Sequence, residues 1–491
     1  MHFQTHCLVA VLVAGAASPV TAQQARIYDR VILGGRVMDP ASGLDAVRNV
    51  GIVDGRIAVI TAVPLRGRDT VDARRLVVAP GFVDMHAHGQ NDESYRYYAM
   101  DGVTTALELE TGIGPVVQFY AERAGKARVN YGGAASHFHA RRIALGDTLV
   151  PYAERATDTS TKWSHTPSTP ATIAAVRAEL VNALDQGALG IGMGVAYTPG
   201  ASAFEILRNF ELCAERRVLC YTHIRGAGAG LGGFGGLQEV LTDAMVTGAP
   251  LHVVHINSSS GANAGGPDVA DFLKAIHQAR AHGVDVTTEA YPYTASSTLL
   301  QSSLYDRALD TPSYDFGRIV WAANGEHLTR ESFIKYRKQG GIIVQIGGAD
   351  SNLYPIFRDS IVMVASDAVQ YVEHRGNPRL AGTFAKVLGR FVREQRLFSL
   401  MEGLRRMTIM PATRLASFVP QMARKGRIKV GADADITVFD PATVIDKATV
   451  EEPAQYSVGI RHVLVGGTPV VRDSKLVEDT FPGRPIRRQR K

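Results

Sequence analysis

Two histidines two residues apart, His86 and His88, close the run Ala79-Pro80-Gly81-Phe82-Val83-Asp84-Met85-His86-Ala87-His88. The stretch before them, Leu76 to Val83, is largely apolar. In a β-strand, residues i and i+2 face the same side. Two imidazoles on one face at a strand end can chelate one metal ion. The pattern recurs, because later apolar runs end in Glu110, in His137 and His139, in His223, in His255 and in Asp367. A satisfied core or surface histidine accounts for any one of these, but not for all of them together. Imidazoles joined by carboxylates suit zinc or a similar divalent metal, one or two ions, with a position left open for water. Glu110 ends Thr104-Thr105-Ala106-Leu107-Glu108-Leu109-Glu110, where Glu108 and Glu110 share a face. A carboxylate has two oxygens and can bridge two metals; the competing reading is a pair with a nearby cationic side chain.

The elements that must position these residues follow from the pattern around them. From residue 80 the chain alternates short apolar runs with helical stretches, which implies parallel βα units. Eight candidate strands are legible: Phe82–His86, Thr104–Glu110, Asn130–His137, Leu189–Met193, Val218–His223, Leu251–His255, Val284–Ala290 and Ile361–Asp367. Helical runs such as Ala171–Gln186, Ala203–Arg216, Leu237–Thr247 and Val269–His282 lie between them. This pattern predicts an α/β fold, a (β/α)8 TIM-like barrel, whose active sites lie at the C-terminal strand ends; a doubly wound open sheet is the runner-up. Residues 295–360 form an insertion, with the apolar run Ile342–Ile346 outside the barrel, placed to lid its mouth. Short strands at both chain ends predict a small β-sandwich domain from residues 23–78 and 424–480, flanking a barrel over 79–423. The pair Asp54-Gly55 between apolar runs marks a hairpin.

Composition bounds the rest. Hydrophobic residues are 45% and charged residues 20% of the chain, as in an ordinary globular protein. The formal charge is +6, but five basic groups lie in Arg484–Lys491, so the remainder is close to neutral. The basic tail, 481–491, reads as a solvated, disordered end, and with no interleaved aromatics it argues against nucleic-acid binding. The first 22 residues carry no Lys, Arg, Asp or Glu, and Cys7 to Ala17 is apolar but too short to span a bilayer. With Val20-Thr21-Ala22 following, residues 1–22 read as a signal peptide, cleaved from an exported, periplasmic or secreted, protein with no membrane span. Cys213 and Cys220 would then remain, and their spacing does not suggest a disulfide framework.

Two motifs are set aside. Gly228-Ala229-Gly230-Leu231-Gly232-Gly233 matches G-x-G-x-x-G but lacks the acidic ribose partner, so Gly226–Gly236 reads as a mobile loop over the mouth. Ser258-Ser259-Ser260-Gly261 is not a nucleophile elbow.

The first-strand run quoted above and Gly426-Arg427-Ile428-Lys429-Val430-Gly431-Ala432-Asp433-Ala434-Asp435 resemble the two signatures of the amidohydrolase superfamily. Tyr197-Thr198-Pro199-Gly200, Tyr221-Thr222-His223-Ile224-Arg225, Tyr291-Pro292-Tyr293-Thr294-Ala295 and Asn377-Pro378-Arg379-Leu380-Ala381-Gly382-Thr383-Phe384 narrow the resemblance to the N-acyl-D-amino-acid deacylases, the D-aminoacylases. The resemblance implies that His86 and His88 hold one metal, that His223 and His255 serve the other, and that Asp367 is the catalytic acid/base. It also implies that Arg379 helps hold a substrate carboxylate. The chain departs from the family at three places: Glu110-Thr111 stands where a metal-ligating Cys is usual, Asn257 where a substrate-binding Lys is usual, and Asn377 where a His is usual.

The expected activity is metal-dependent hydrolysis of a small-molecule amide. Asp367 accepts a proton from water and passes it to the leaving amine. His137 or His139 donates to the oxyanion, and Arg379 with Tyr291 or Tyr293 orients the substrate. The alternatives are an exported amidohydrolase acting on a cyclic or peptide-like amide, and a metal- or solute-binding protein without catalysis.

Overall fold

The computed structural model describes residues 26–150, 157–226, 232–262 and 269–489. The segment read as a signal peptide lies outside them. Eight parallel strands form one sheet in chain order: β1 Phe82–Asp84, β2 Val103–Ile113, β3 Asn130–Ser136, β4 Gly190–Gly194, β5 Leu219–His223, β6 Leu251–Val253, β7 Val286–Ala290 and β8 Val362–Val364. The sheet curls until the segments beyond β1 and β8 meet. There, backbone bonds run from His88 N to Ala368 O (2.8 Å) and from Gly89 N to Ala368 O (3.0 Å). The buried Asp84 carboxylate adds to the join by accepting from the backbone N–H groups of His86 and Ser366, each at 3.1 Å. Strands covered on both faces read as continuous apolar runs, and every residue of β2 except Thr111 is buried.

Helices pack outside the sheet. Thr169 caps Pro170–Asp185 and Ser202 caps Ala203–Arg216, each through its side-chain oxygen. Cys213 on the second of these helices is joined to Cys220 on β5 by a disulfide, with Cα atoms 6.1 Å apart. The spacing did not suggest a disulfide, but the turn after the helix folds β5 back beside it and brings the two cysteines together. One correction concerns the glycine-rich stretch. Residues 227–231 lie outside the described residues, but Gly232–Thr247 is helical, so Gly232–Gly236 begins a helix and is not part of a loop.

Both chain ends build a separate nine-stranded sheet, from Ile27–Asp39 through to Lys475–Leu476. Its halves close over one core that includes Ile32, Val50, Val71, Ile436, Val438 and Leu464. The polar strand Arg66–Asp72 was not legible in the sequence, since only Val71 of it is buried. The insertion forms its own four-stranded sheet from Ser296–Leu299, Ile319–Trp321, Glu326–His327 and Ile342–Gln345, over a core in which Trp321 stacks on Tyr336 at 4.5 Å. No helix among the described residues is long and apolar enough to cross a membrane.

The described part of the basic tail, residues 481–489, is not a solvated end. Ile486 is buried in the floor of the barrel beside Leu107, Leu189, Leu219 and Met422. Backbone bonds run from Gly483 N to Ala127 O (2.9 Å), from Ile486 N to Tyr131 O (2.7 Å) and from Arg488 N to Gly187 O (3.2 Å). The Arg487 guanidinium lies 3.8 Å from the Tyr120 ring centroid. Charge predicted solvation, but one apolar residue and the main chain decide the docking.

Candidate metal centre and active site

At the C-terminal mouth of the barrel the structure gathers His86, His88, Glu110, His223, His255 and Asp367. The Nε2 atoms of His86 and His88 are 3.0 Å apart. Glu110 Oε2 lies 3.1 Å from each of them, and Asp367 Oδ1 lies 3.3 Å from the first and 3.2 Å from the second. The other oxygen, Glu110 Oε1, lies 2.7 Å from His223 Nδ1 and 3.6 Å from His255 Nε2. Those two ring nitrogens are 3.1 Å apart. Donor atoms about 2.0–2.2 Å from one tetrahedral ion stand about 3.3 Å from one another, so both groups have the spacing of a cation cradle. Glu110 gives one oxygen to each. The donor set of imidazoles and carboxylates fits a divalent metal.

The outer face of each imidazole supports this reading. His86 Nδ1 is 2.6 Å from Glu289 Oε1, and His88 Nδ1 is 2.8 Å from Glu108 Oε2. A carboxylate holding Nδ1–H turns the Nε2 lone pair toward the metal. Burial works against charge on both rings, but Asp367 and Glu289 around His86, and Glu108 and Asp367 around His88, outweigh it and raise both pKa values well above the ordinary imidazole range. The cluster favours a cation, and a divalent ion entering it displaces protons. Burial likewise pushes Glu110 and Asp367 up, yet the surrounding imidazoles, and for Asp367 Arg379 first, hold both carboxyls well below the usual range.

Local backbone places these groups. Strand β2 runs three residues beyond Glu110, with a register shift against β3 after Glu108. Gly112 has φ +67°, and a Cβ there would meet Ser136 Cα at 2.7 Å, so the bend requires glycine. His255 (φ 30°) and Asp367 (φ 49°) also adopt the left-handed region. That conformation is uncommon for residues other than glycine and concentrates at functional sites.

The residues expected to bind substrate divide. His139 and Tyr291 line the cavity with the metal cluster. His137 does not: β3 ends at Ser136, and the His137 ring is buried against Glu205 Oε1 at 2.6 Å. Glu205 also takes Arg141 Nη1 at 2.6 Å and is drawn down to about 2 against its burial, so this is a buried structural pair. The Tyr293 hydroxyl donates to Asp446 at 3.1 Å behind the barrel wall. Arg379 is fully buried, bonds Asp367 Oδ2 at 2.6 Å and lies 4.2 Å from the Tyr291 ring centroid. It therefore orients Asp367 and Tyr291, and is not among the cavity-lining residues.

Two residues were not foreseen. Glu289, one residue before the end of β7, binds His86 and accepts from the His255 N–H at 3.2 Å. Burial pushes its carboxyl up, but His86 and His252 bring it to about 2. Its only signal in the sequence was an acid inside a buried run. Tyr197, in the Tyr-Thr-Pro-Gly motif, packs edge-on to His223 with centroids 4.9 Å apart. Its hydroxyl accepts from Thr298 Oγ1 at 3.1 Å, leaving its own proton for a group in the cavity. Burial first, then Glu110, keep that proton on by raising the phenol well above its usual pKa. We expect Glu289→Gln to weaken metal binding about 10- to 100-fold, measured by competition with a chelator; unchanged affinity would remove Glu289 from the support of the centre.

Comparison with known proteins agrees with this geometry. Residues 364–471 match the amidohydrolase family. The chain is 31% identical to N-acyl-D-glutamate deacylase from Alcaligenes xylosoxydans xylosoxydans, over 94% of this chain and 96% of that protein. The crystal structure of N-acyl-D-glutamate deacylase from Bordetella bronchiseptica, complexed with zinc and a phosphonate inhibitor, is similar with a TM-score of 0.78 and 27% identity, covering 94% of this chain and 100% of that one. A D-aminoacylase structure with a binuclear metal centre gives a TM-score of 0.77 and 25% identity, with the same coverage. The chain belongs to the amidohydrolase family, in the branch of the N-acyl-D-amino-acid deacylases.

Proposed function

We propose that the protein hydrolyses the amide bond of N-acyl-D-amino acids in a metal-dependent reaction, with zinc as the native ion. The observation that carries this reading is the Glu110 carboxylate divided between two imidazole pairs, with Asp367 beside one of them at the floor of an open cavity. His86, His88 and Glu110 would hold one ion and Glu110, His223 and His255 a second. When bound, the metal makes water a nucleophile at neutral pH and polarises the scissile carbonyl.

The chain's own groups supply the rest. Asp367 is ionised, and Arg379 fixes its Oδ2, leaving Oδ1 to take the proton of the attacking water and hand it to the leaving nitrogen. The Tyr197 hydroxyl donates to the oxyanion as it forms. Tyr291, held by Arg379, orients the substrate at the cavity wall. A panel of N-acyl-D- and N-acyl-L-amino acids with metal-loaded and chelated protein tests the reading. We expect metal-dependent turnover of D-substrates at least about tenfold above their L-forms. No turnover of any D-substrate would overturn it.

We also propose export, on the strength of the uncharged apolar start. Sequencing the protein from its producing cell should find the mature chain beginning near Gln23; an intact Met1 on that form would refute this.

A further inference from the structure

We infer that Arg225 and Ser260 hold the α-carboxylate of the substrate, on the cavity wall between β5 and β6. The inference rests on the deacylase reading and names the groups that grip the anion its substrates share.

Every N-acyl-α-amino acid carries a carboxylate one carbon from the scissile nitrogen, so its holder must lie beside the metal centre. Neither position that the family resemblance points to serves. Asn257 carries no charge, is fully buried and accepts from Tyr291 N at 3.4 Å. Arg379 gives Nη1 to Asp367 and does not line the cavity. Arg142 does line it, but is paired with Asp158 and lies over Trp163. That ring ends an aromatic run leading away from the centre through His223, Tyr197 and Phe138.

Arg225 is the remaining Arg or Lys among the described residues of the wall. It follows His223 by two residues, just beyond β5. Its Nε bonds both Glu239 oxygens, at 2.8 and 3.1 Å, and its Nη2 bonds Ala201 O at 2.8 Å. A guanidinium carries five N–H groups, and these bonds use none from Nη1. The pair with Glu239 fixes the fork and leaves that nitrogen to a carboxylate, in a charge-assisted bond.

Ser260 supplies the second donor. It follows His255 by five residues, lines the same cavity and is 3% exposed. Its Oγ has no hydrogen-bond partner among the described residues, and a buried hydroxyl is ordinarily paired. The adjacent Ser259 sets this loop against the centre, with Oγ 3.4 Å from His255 Nδ1.

A helix start completes the wall. Gly232–Thr247 begins here, and Gly233 lines the cavity. A Cβ on Gly233 would meet Ser259 O at 2.5 Å, and one on Gly236 would collide with Arg225 O. Glycine thus lets the helix start sit against both segments, and the unpaired N–H groups of a helix start favour negative charge.

The test gives metal-loaded enzyme N-acetyl-D-leucine, N-acetyl-D-phenylalanine and N-acetyl-D-glutamate, each beside its α-carboxamide. The acid turned over fastest and its carboxamide are then given to two variants. Wild type should prefer the acid by about tenfold or more in kcat/KM, since a site built to bond a group rejects the analogue that lacks it. Arg225→Lys keeps a charge beside Glu239 but removes the fork, and Ser260→Ala removes the hydroxyl. Each should raise KM for the acid about five- to tenfold, keep kcat within about threefold, and lower the acid-to-carboxamide ratio. Where Arg225→Lys does not fold, Ser260→Ala decides. A wild type that hydrolyses the carboxamide as well as the acid, or variants that leave KM unchanged or lower kcat for both substrates alike, overturn the assignment and leave the deacylase reading standing. Hydrolysis of none of the acids overturns both.

Discussion

Replacing Asp367 with asparagine should leave the fold and the metal in place and lower turnover by at least about 10²-fold. The substitution keeps an oxygen where Asp367 Oδ1 now stands, 3.2 and 3.3 Å from the imidazoles of His88 and His86. It removes the basicity. An amide oxygen cannot accept the water proton and return it to the leaving amine, so the loss falls on kcat. Steady-state kinetics with elemental analysis of the same preparation checks this. A metal-loaded Asp367→Asn enzyme turning over near the wild-type rate would exclude Asp367 as the acid/base.

The second large effect is expected at Glu110. Its ion-pair partners are the four imidazoles of His86, His88, His223 and His255, so the competing reading, a pair with a cationic side chain, falls on the same groups that would hold the metal, and metal content separates the two. Glu110→Ala should lose at least one equivalent of metal and lower activity by at least about 10²-fold, since loss of an outer partner alone costs about 10- to 100-fold. Thr111→Ala, one residue on and also lining the cavity, is the control. A carboxylate is a harder ligand than a thiolate, so the wild-type site should also work with Mn²⁺ or Co²⁺. Full metal content and activity in Glu110→Ala would remove it from the centre.

The strand-end residues were legible because His and Asp interrupt apolar runs, and a parallel barrel brings such ends to one rim whatever their separation in the chain. Partners across the fold were not. Glu289 and Glu205 are single acids in amphipathic or buried segments, and nothing local tells which histidine each will meet. His137 and His139 share a face only if the strand continues; the helix beginning at His137 sends one ring into the wall and the other to the cavity. Arg379 matched a substrate-binding motif, but the structure gives its charge to Asp367. Cys213 and Cys220 are adjacent only once a helix and a strand have been folded together.

The docking of residues 483–488 has a consequence for what each core can spare. The barrel floor takes Ile486, and the second sheet takes every strand from Ile436 onward, so both cores join residues far apart in the chain. A chain cut after Phe481 would keep every strand of the barrel, yet its base would lose Ile486 and the backbone bonds that Gly483, Ile486 and Arg488 donate.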